Sequence, residues 1–190
     1  MADYDLIIIG AGPAGMTAAV YGARASLSVL MLDRLAPGGK MIDTSEIQNY
    51  TGMGTVEGAE LAVRMFRHTQ ELNVEFDYRT VLEVQDGGAE KTVVCEEEGR
   101  VYTAKSVILC TGTTPRLLGA EERFTGNGIS WCAVCDGAGC RDRDTVVIGG
   151  GNSAVEEAAY LAGFAKSVTV VVRSRLSADP IACDKLLGLD

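Results

Sequence analysis

The chain has 190 residues, is 47% hydrophobic, contains 23 glycines and carries a formal net charge of −9. That length builds one ordinary domain, or one domain and part of another, and the acidic balance argues against nucleic acid or an anionic membrane as partner. The opening Met-Ala-Asp-Tyr-Asp lacks the basic region of a secretory signal, and no run approaches the roughly 20 apolar residues of a membrane span. A soluble cytoplasmic protein is therefore expected, with Cys95, Cys110, Cys132, Cys135, Cys140 and Cys183 mostly reduced and any disulfide catalytic.

In chain order, Asp5 to Ile9 is a continuous apolar, β-branched run and predicts a central strand of a parallel sheet. Gly10-Ala-Gly-Pro-Ala-Gly15 follows, then an Ala-rich helix over Met16–Ala25, then a strand over Ser28–Leu32 closed by Asp33. Strand, Gly-x-Gly-x-x-Gly, helix, strand and acid make the complete dinucleotide fingerprint. Gly10, Gly12 and Gly15, with Pro13 and Ala14 between the last two, let the backbone turn tightly and approach a pyrophosphate, the helix N-terminus offers N–H groups to that charge, and Asp33 can accept from a ribose hydroxyl.

Leu35–Lys40 reads as a loop in which Gly38 and Gly39 permit a second close backbone approach. Ile47–Gly52 is turn-like. Val56–Gln70 predicts a helix with Leu61, Met65 and Phe66 on one side; His68, the only histidine, lies near its end as a capping or surface group. Val81–Val84, Thr92–Cys95 and Val101–Thr103 predict a small antiparallel meander inserted as a crossover. Val107–Cys110 predicts one more buried strand. Its end, Thr111-Gly112-Thr113, falls on the carboxyl edge where open α/β sheets bind ligands. Cys95 and Cys110 read as buried small hydrophobes, and Thr113-Thr-Pro115 as a linker.

Beyond the linker stands Trp131-Cys-Ala-Val-Cys-Asp136. A Cys-x-x-Cys pair can close a small disulfide ring with one thiol of lowered pKa, and Asp136 supplies a carboxyl to move the proton that thiol–disulfide exchange requires. The same spacing also opens zinc sites, with Cys140 and a distant Cys183 as further ligands. A second nucleotide unit follows: a strand over Thr145–Ile148, the turn Gly149-Gly150-Gly151-Asn152-Ser153-Ala154, a helix over Val155–Gly163 with Glu156 and Glu157 in its first turn, and a strand over Ser167–Val172. Arg173 and Arg175 end that strand where NAD sites carry an acid, which suits a ribose 2′-phosphate.

The fold class is accordingly α/β: two Rossmann-like, three-layer ββα-type units, the second incomplete, with the meander in the first. Residues 1–113 are expected to bind FAD and residues 114–190 to hold a nicotinamide nucleotide and the dithiol. Two dinucleotide sites and a dithiol make an electron relay. A flavin is the usual adaptor between hydride and dithiol, so the implied reaction is NAD(P)H-dependent reduction of a disulfide.

The motifs resemble bacterial low-molecular-weight thioredoxin reductases. Gly10–Tyr21 is similar to that family's FAD fingerprint, Pro37-Gly-Gly39 to its second flavin segment, Gln48-Asn-Tyr50 to a turn that reaches the flavin, Cys132–Gly137 to its redox motif, and Gly149–Glu157 to its NADPH turn. The resemblance implies a Cys132–Cys135 disulfide with Cys135 nearer the flavin, Cys132 as the thiol that attacks thioredoxin, Asp136 as acid/base, a homodimer, and a rotation between domains. It extends the flavin set to Arg34, Lys40, Asn49, Val84, Thr111 and Gly112, and the NADPH set to Gly149, Gly150, Gly151, Asn152, Ser153, Arg173 and Arg175.

The departures are specific. Lys40 stands where the family has glutamine. Val172-Arg173-Ser174 stands for His-Arg-Arg, and Ser177 falls near a third arginine. NADPH preference is therefore expected to be weakened, with NADH or ferredoxin as alternative donors. The family also continues well beyond position 190. A piece of a longer enzyme, or a short form that holds flavin poorly and serves as an inactive nucleotide-binding module, are both open expectations.

Overall fold

The computed structural model describes residues 2–97, 99–114, 117, 119, 123, 124 and 127–189. It forms two compact units, Met1–Thr114 and Pro115–Asp190. Pro115, the last residue of the expected linker, lies outside the described residues.

The first unit runs β1 (Tyr4–Ile9), α1 (Pro13–Arg24), β2 (Val29–Asp33), α2 (Gly58–Glu71), β3 (Glu75–Tyr78), β4 (Val81–Asp86), β5 (Lys91–Cys95) and β6 (Val101–Leu109), with a 3-10 turn over Gly39–Asp43. The strands make one six-stranded sheet in the order β3-β2-β1-β6-β5-β4. Pairing is parallel from β3 to β6 and antiparallel from β6 to β4. β1 is central, and both its faces are covered. Leu6 and Ile8 join Met16, Ala19 and Met31 under α1. Ile7 and Ile9 join Leu30, Leu32, Val93 and Tyr102, so the meander roofs the second face. Ile7 and Ile8 are wholly buried, each contributing about 1.5–3 kcal/mol. This double cover is why β1 reads as an unbroken apolar run.

Two expectations need correction, and one strand was not expected. β6 is one strand, not two. Its first half pairs with β5 (Val94↔Val101 to Lys91↔Ala104) and its second with β1 (Leu6↔Ser106 to Ile9↔Leu109). The polar Lys105-Ser106 pair, which breaks the apolar pattern, lies inside it. Its end is not buried, since Leu109 is 66% exposed; the β5 pairing stops at Ala104 and the meander's cover with it. β3, an edge strand of alternating Glu75-Phe-Asp-Tyr78, has no apolar run to announce it.

The second unit holds α3 (Ala133–Asp136), a 3-10 turn (Gly137–Cys140), β7 (Asp144–Ile148), α4 (Asn152–Ala162), β8 (Ser167–Val171) and α5 (Pro180–Leu187). β7 and β8 pair in parallel from Asp144↔Ser167 to Ile148↔Val171. α4 buries Val155, Ala158 and Leu161, one stripe at helical spacing. It begins at Asn152, capped by Gly151, so Glu156 and Glu157 fall in its second turn rather than its first.

Candidate functional site

The two glycine-rich turns solve the same backbone problem with different supports. In the first, Gly10 adopts φ +106°, and an added Cβ would lie 2.1 Å from the Cys110 carbonyl oxygen. A Cβ on Gly15 would lie 1.8 Å from the Gly10 oxygen. Both glycines are demanded by the fold itself. Gly12 is not: it caps α1 with an ordinary φ of −74°, and its Cβ would meet only the Gly39 Cα at 4.0 Å. Open space above an N-cap glycine is the cradle that a pyrophosphate fills, so the residues present fit a bound dinucleotide.

Around this turn the structure gathers much of the expected set. Asp33 ends β2, and its carboxylate accepts from the Ala11 N–H (2.7 Å) and the Leu35 N–H (3.0 Å). It therefore clamps the turn, and each oxygen keeps a lone pair for a ribose hydroxyl. Gly38, at φ +137°, donates its N–H to the Ala11 oxygen at 2.8 Å. Gly39, at φ +57°, lies against Gly12. Lys40 Nζ donates to Thr113 Oγ1 at 2.7 Å, linking the loop after β2 to the segment Thr111–Thr113 after β6. Arg34 is exposed beside Asp33, and Asn49 lies in the loop closed by the Ile47–Val56 bridge. Val84 sits on β4, separated from β1 by β5 and β6.

In the second turn Gly149 adopts φ +142°, and the Gly150 Cβ position lies 3.0 Å from the Arg175 carbonyl oxygen. Gly151 caps α4 at φ −85°, with nothing within 4 Å of its Cβ position. It matches Gly12 in role, conformation and open space. Among the described residues, no acid clamps this turn from a strand end. The loop after β8 folds over it instead: the Ser177 N–H donates to the Gly150 oxygen (2.6 Å), Asn152 Nδ2 donates to Asp179 (2.9 Å), and the Asp179 N–H donates to Asn152 Oδ1 (2.8 Å). Asn152 is thus a loop holder, Ser153 follows in the first turn of α4, and Arg173 and Arg175 are exposed on the loop drawn over the glycines. Burial first, and then the Asp179 carboxylate, push Glu156 above the usual carboxylate range.

The cysteine pair is a formed disulfide, Cys132–Cys135, with Cα atoms 5.3 Å apart. Cys132 caps α3, and the Cys135 N–H points at its sulfur from 3.1 Å. Asp136 is exposed, and Ser130 Oγ lies 2.5 Å from its Oδ2; Ser130 carries no motif signal, and the sequence reading passed over it. Gly137 packs against Tyr160, Leu161 and Phe164 at the far end of α4 from Gly151. The 11 residues of α4 put the disulfide turn and the second glycine turn about 16 Å apart along the helix at 1.5 Å per residue.

Cys95, Cys110, Cys140 and Cys183 are free. Cys95 is buried as expected, but Cys110, beyond the end of the β5 pairing, is only partly buried; burial still pushes both thiols up, which makes them poor nucleophiles at neutral pH. Among the described residues, Cys140 and Cys183 do not join Cys132 and Cys135 in a cluster of metal-ligand spacing. His68 is exposed in the last turn of α2.

Two dinucleotide-type turns and a Cys-x-x-Cys disulfide are the features of the nucleotide-linked disulfide oxidoreductase class. Residues 4–182 match the family model described as pyridine nucleotide-disulphide oxidoreductase, and the chain belongs to that family. It is 46% identical over 185 residues to the thioredoxin reductase of Listeria monocytogenes, covering 96% of this chain and 57% of that protein. It is 47% identical over 172 residues to the thioredoxin reductase of Bacillus subtilis, covering 90% and 54%. The crystal structure of Lactococcus lactis thioredoxin reductase superimposes with a TM-score of 0.94 at 44% identity, covering 98% of this chain and 62% of that one. The chain therefore spans a little over half the length of the curated relatives it matches. No helix among the described residues is long and apolar enough to cross a membrane.

Proposed function

We propose that this chain serves thioredoxin-disulfide reduction, with electrons passing from NADPH through FAD to Cys132–Cys135 and on to thioredoxin or a thioredoxin-like protein. The observation that carries the reading is a formed Cys-x-x-Cys disulfide in a chain with two glycine turns, each with its middle glycine open to a ligand. A pyridine nucleotide gives up a hydride, whereas a disulfide is reduced by covalent exchange, so an adaptor is needed between them. FAD supplies two-electron acceptance from a pyridine nucleotide and delivery to a disulfide.

The chain's own residues do the rest. Gly10, Gly12 and Gly15, held by Asp33 and Gly38, seat the flavin nucleotide. Gly149, Gly150 and Gly151 seat the pyridine nucleotide, and Arg173 and Arg175 meet its 2′-phosphate. Reduction of Cys132–Cys135 takes two electrons and two protons and leaves two thiols. Asp136 takes the proton of the Cys132 thiol, and the Cys135 N–H stabilises the resulting thiolate. That thiolate attacks the substrate disulfide; one substrate sulfur joins Cys132, and the other leaves and takes the proton from Asp136. Cys135 then attacks the Cys132 sulfur, its thiol proton passing to the second substrate sulfur, which leaves as a thiol, and the ring closes. Four free thiols beside one bonded pair support a reducing, cytoplasmic setting. The family resemblance carries a homodimer, which sedimentation tests.

The deciding experiment is anaerobic NADPH titration of the 190-residue chain after incubation with FAD, read at about 450 nm and by thiol count. Bleaching together with two new thiols supports the relay. A flavin bleached only by dithionite removes NADPH as donor, and a chain that never takes up FAD favours the inactive nucleotide-binding module over the relay.

A further inference from the structure

Ser130 stands two residues before the disulfide. Its Oγ is 2.5 Å from Asp136 Oδ2, 3.2 Å from the Cys132 carbonyl oxygen and 3.1 Å from the Cys132 N–H. A hydroxyl has one proton to give, and the shorter contact to a charged acceptor takes it. Ser130 therefore donates to Asp136 and accepts from the Cys132 N–H. The Asp136 N–H in turn donates to the Cys132 oxygen at 3.1 Å, so one hydroxyl ties the carboxylate to the backbone of Cys132. Asp136 is exposed on a single turn of helix, and burial does not fix its side chain. From the last turn of α4 and the residues just after it, the side chains nearest Gly137 are Phe164, Leu161 and the phenol of Tyr160. Along the chain Cys140 and Arg141 follow, the Arg141 guanidinium lying over the Phe164 ring at 5.9 Å.

We infer that Ser130 is a positioning residue for Asp136. Its hydroxyl holds the carboxyl beside the dithiol so that one group can take the proton from Cys132 and return it to the departing thiolate. The inference rests on the disulfide-exchange reading above and adds a residue to it.

The test needs neither flavin nor nucleotide. The 190-residue chain is reduced, freed of reductant, and mixed with 2-hydroxyethyl disulfide. Two protein thiols become the Cys132–Cys135 disulfide, and the reagent becomes two molecules of mercaptoethanol. Ring closure is followed for the parent, Ser130→Ala, Ser130→Thr, Asp136→Asn and the double variant Ser130→Ala/Asp136→Asn. Ser130→Ala is expected to slow closure on the order of tenfold, part of the roughly 10²–10⁴ that a placed acid/base contributes. Ser130→Thr, which keeps the hydroxyl, should restore the rate to within about twofold. In the Asp136→Asn background the alanine should change nothing further, because coupled residues are non-additive. Equal slowing in both backgrounds, or no rescue by threonine, would assign Ser130 to the turn and overturn the inference. If Asp136→Asn closes at the parent rate, the proton role in the proposed mechanism fails and takes the inference with it. If Asp136→Asn is slow while Ser130→Ala is not, the inference alone fails.

Discussion

The two units carry one sequence device twice and support it unequally. In the first, the glycine turn is built into a six-stranded sheet. Backbone from β6 closes against Gly10, and the Asp33 carboxylate clamps Ala11. In the second, the sheet has two strands, Val146 and Ile148 are 60% and 65% exposed, and the clamp is an exposed loop pair, Asn152 with Asp179. Between β8 and α5 lies an open apolar hollow of about 370 Å³, lined by Val168, Val170, Leu186 and Leu187 among others. The fingerprint states what a ligand needs; the number of strands behind it sets how firmly the turn is held.

Substitutions matched between the turns test this difference. Gly10→Ala carries the largest expected cost, more than about 3 kcal/mol, because it combines a strained φ with a clash against backbone that cannot yield. Thermal unfolding of the first unit should show it, while Gly151→Ala should leave the melting profile of the second unit nearly unchanged. Next is the clamp. Asp33→Ala leaves the Ala11 N–H without its acceptor and should cost about 1–3 kcal/mol, whereas the exposed Asp179→Ala should cost under about 1 kcal/mol in urea titrations. A reversed order would mean that sheet size does not set the rigidity of the turn.

Gly12→Ala and Gly151→Ala should move ligand affinity rather than stability. Each fills a cradle no protein atom occupies, so a loss on the order of tenfold in flavin retention and in NADPH binding respectively is expected, about 1.4 kcal/mol each. Unaltered binding by calorimetry would deny the turns their ligand.

The smallest effect lies at the strand starts, where the units do agree. Asp5 accepts from the Ser28 N–H and hydroxyl and from Lys105. Asp144 likewise accepts from Ser167 and Lys166. Hydrogen bonding from Lys105, then from Ser28, holds Asp5 down at about 2; Ser167, then Lys166, lower Asp144. A carboxyl whose folded pKa is depressed stabilises the fold above its unfolded pKa, about 3.9, and that gain is lost as pH falls through the folded value. Asp5→Asn should therefore flatten the stability profile between about pH 4 and pH 2 and leave the acid limb below it unchanged. A variant with the parent's slope across that window would show the Asp5 bonds to be inert.

Much of this was legible in the residues. The apolar run of β1, the glycines of both turns and the Cys-x-x-Cys pair each declare themselves, because each requirement is local: a central strand needs unbroken β-branched residues, a turn at φ > 0 needs glycine, and a small disulfide ring needs two cysteines at close spacing. Other features left no local mark. β6 hides a polar pair at the point where it exchanges one neighbour for another, β3 is only four residues long at the sheet edge, and helix α4 starts three residues before its first buried residue, Val155, because Gly151 caps it.

What the sequence determined by itself was the class of chemistry: two nucleotide turns and a dithiol, and hence the oxidoreductase family. What only the tertiary structure decided was the partnership of side chains distant along the chain or unmarked by any motif. Asp33 is seen to clamp Ala11, Lys40 to reach Thr113, Asp179 to hold Asn152, and Ser130 to hold Asp136. The reason is physical. A glycine's conformation or a strand's burial follows from a residue and its neighbours, whereas a hydrogen bond's partner depends on where two separate stretches of backbone come to rest.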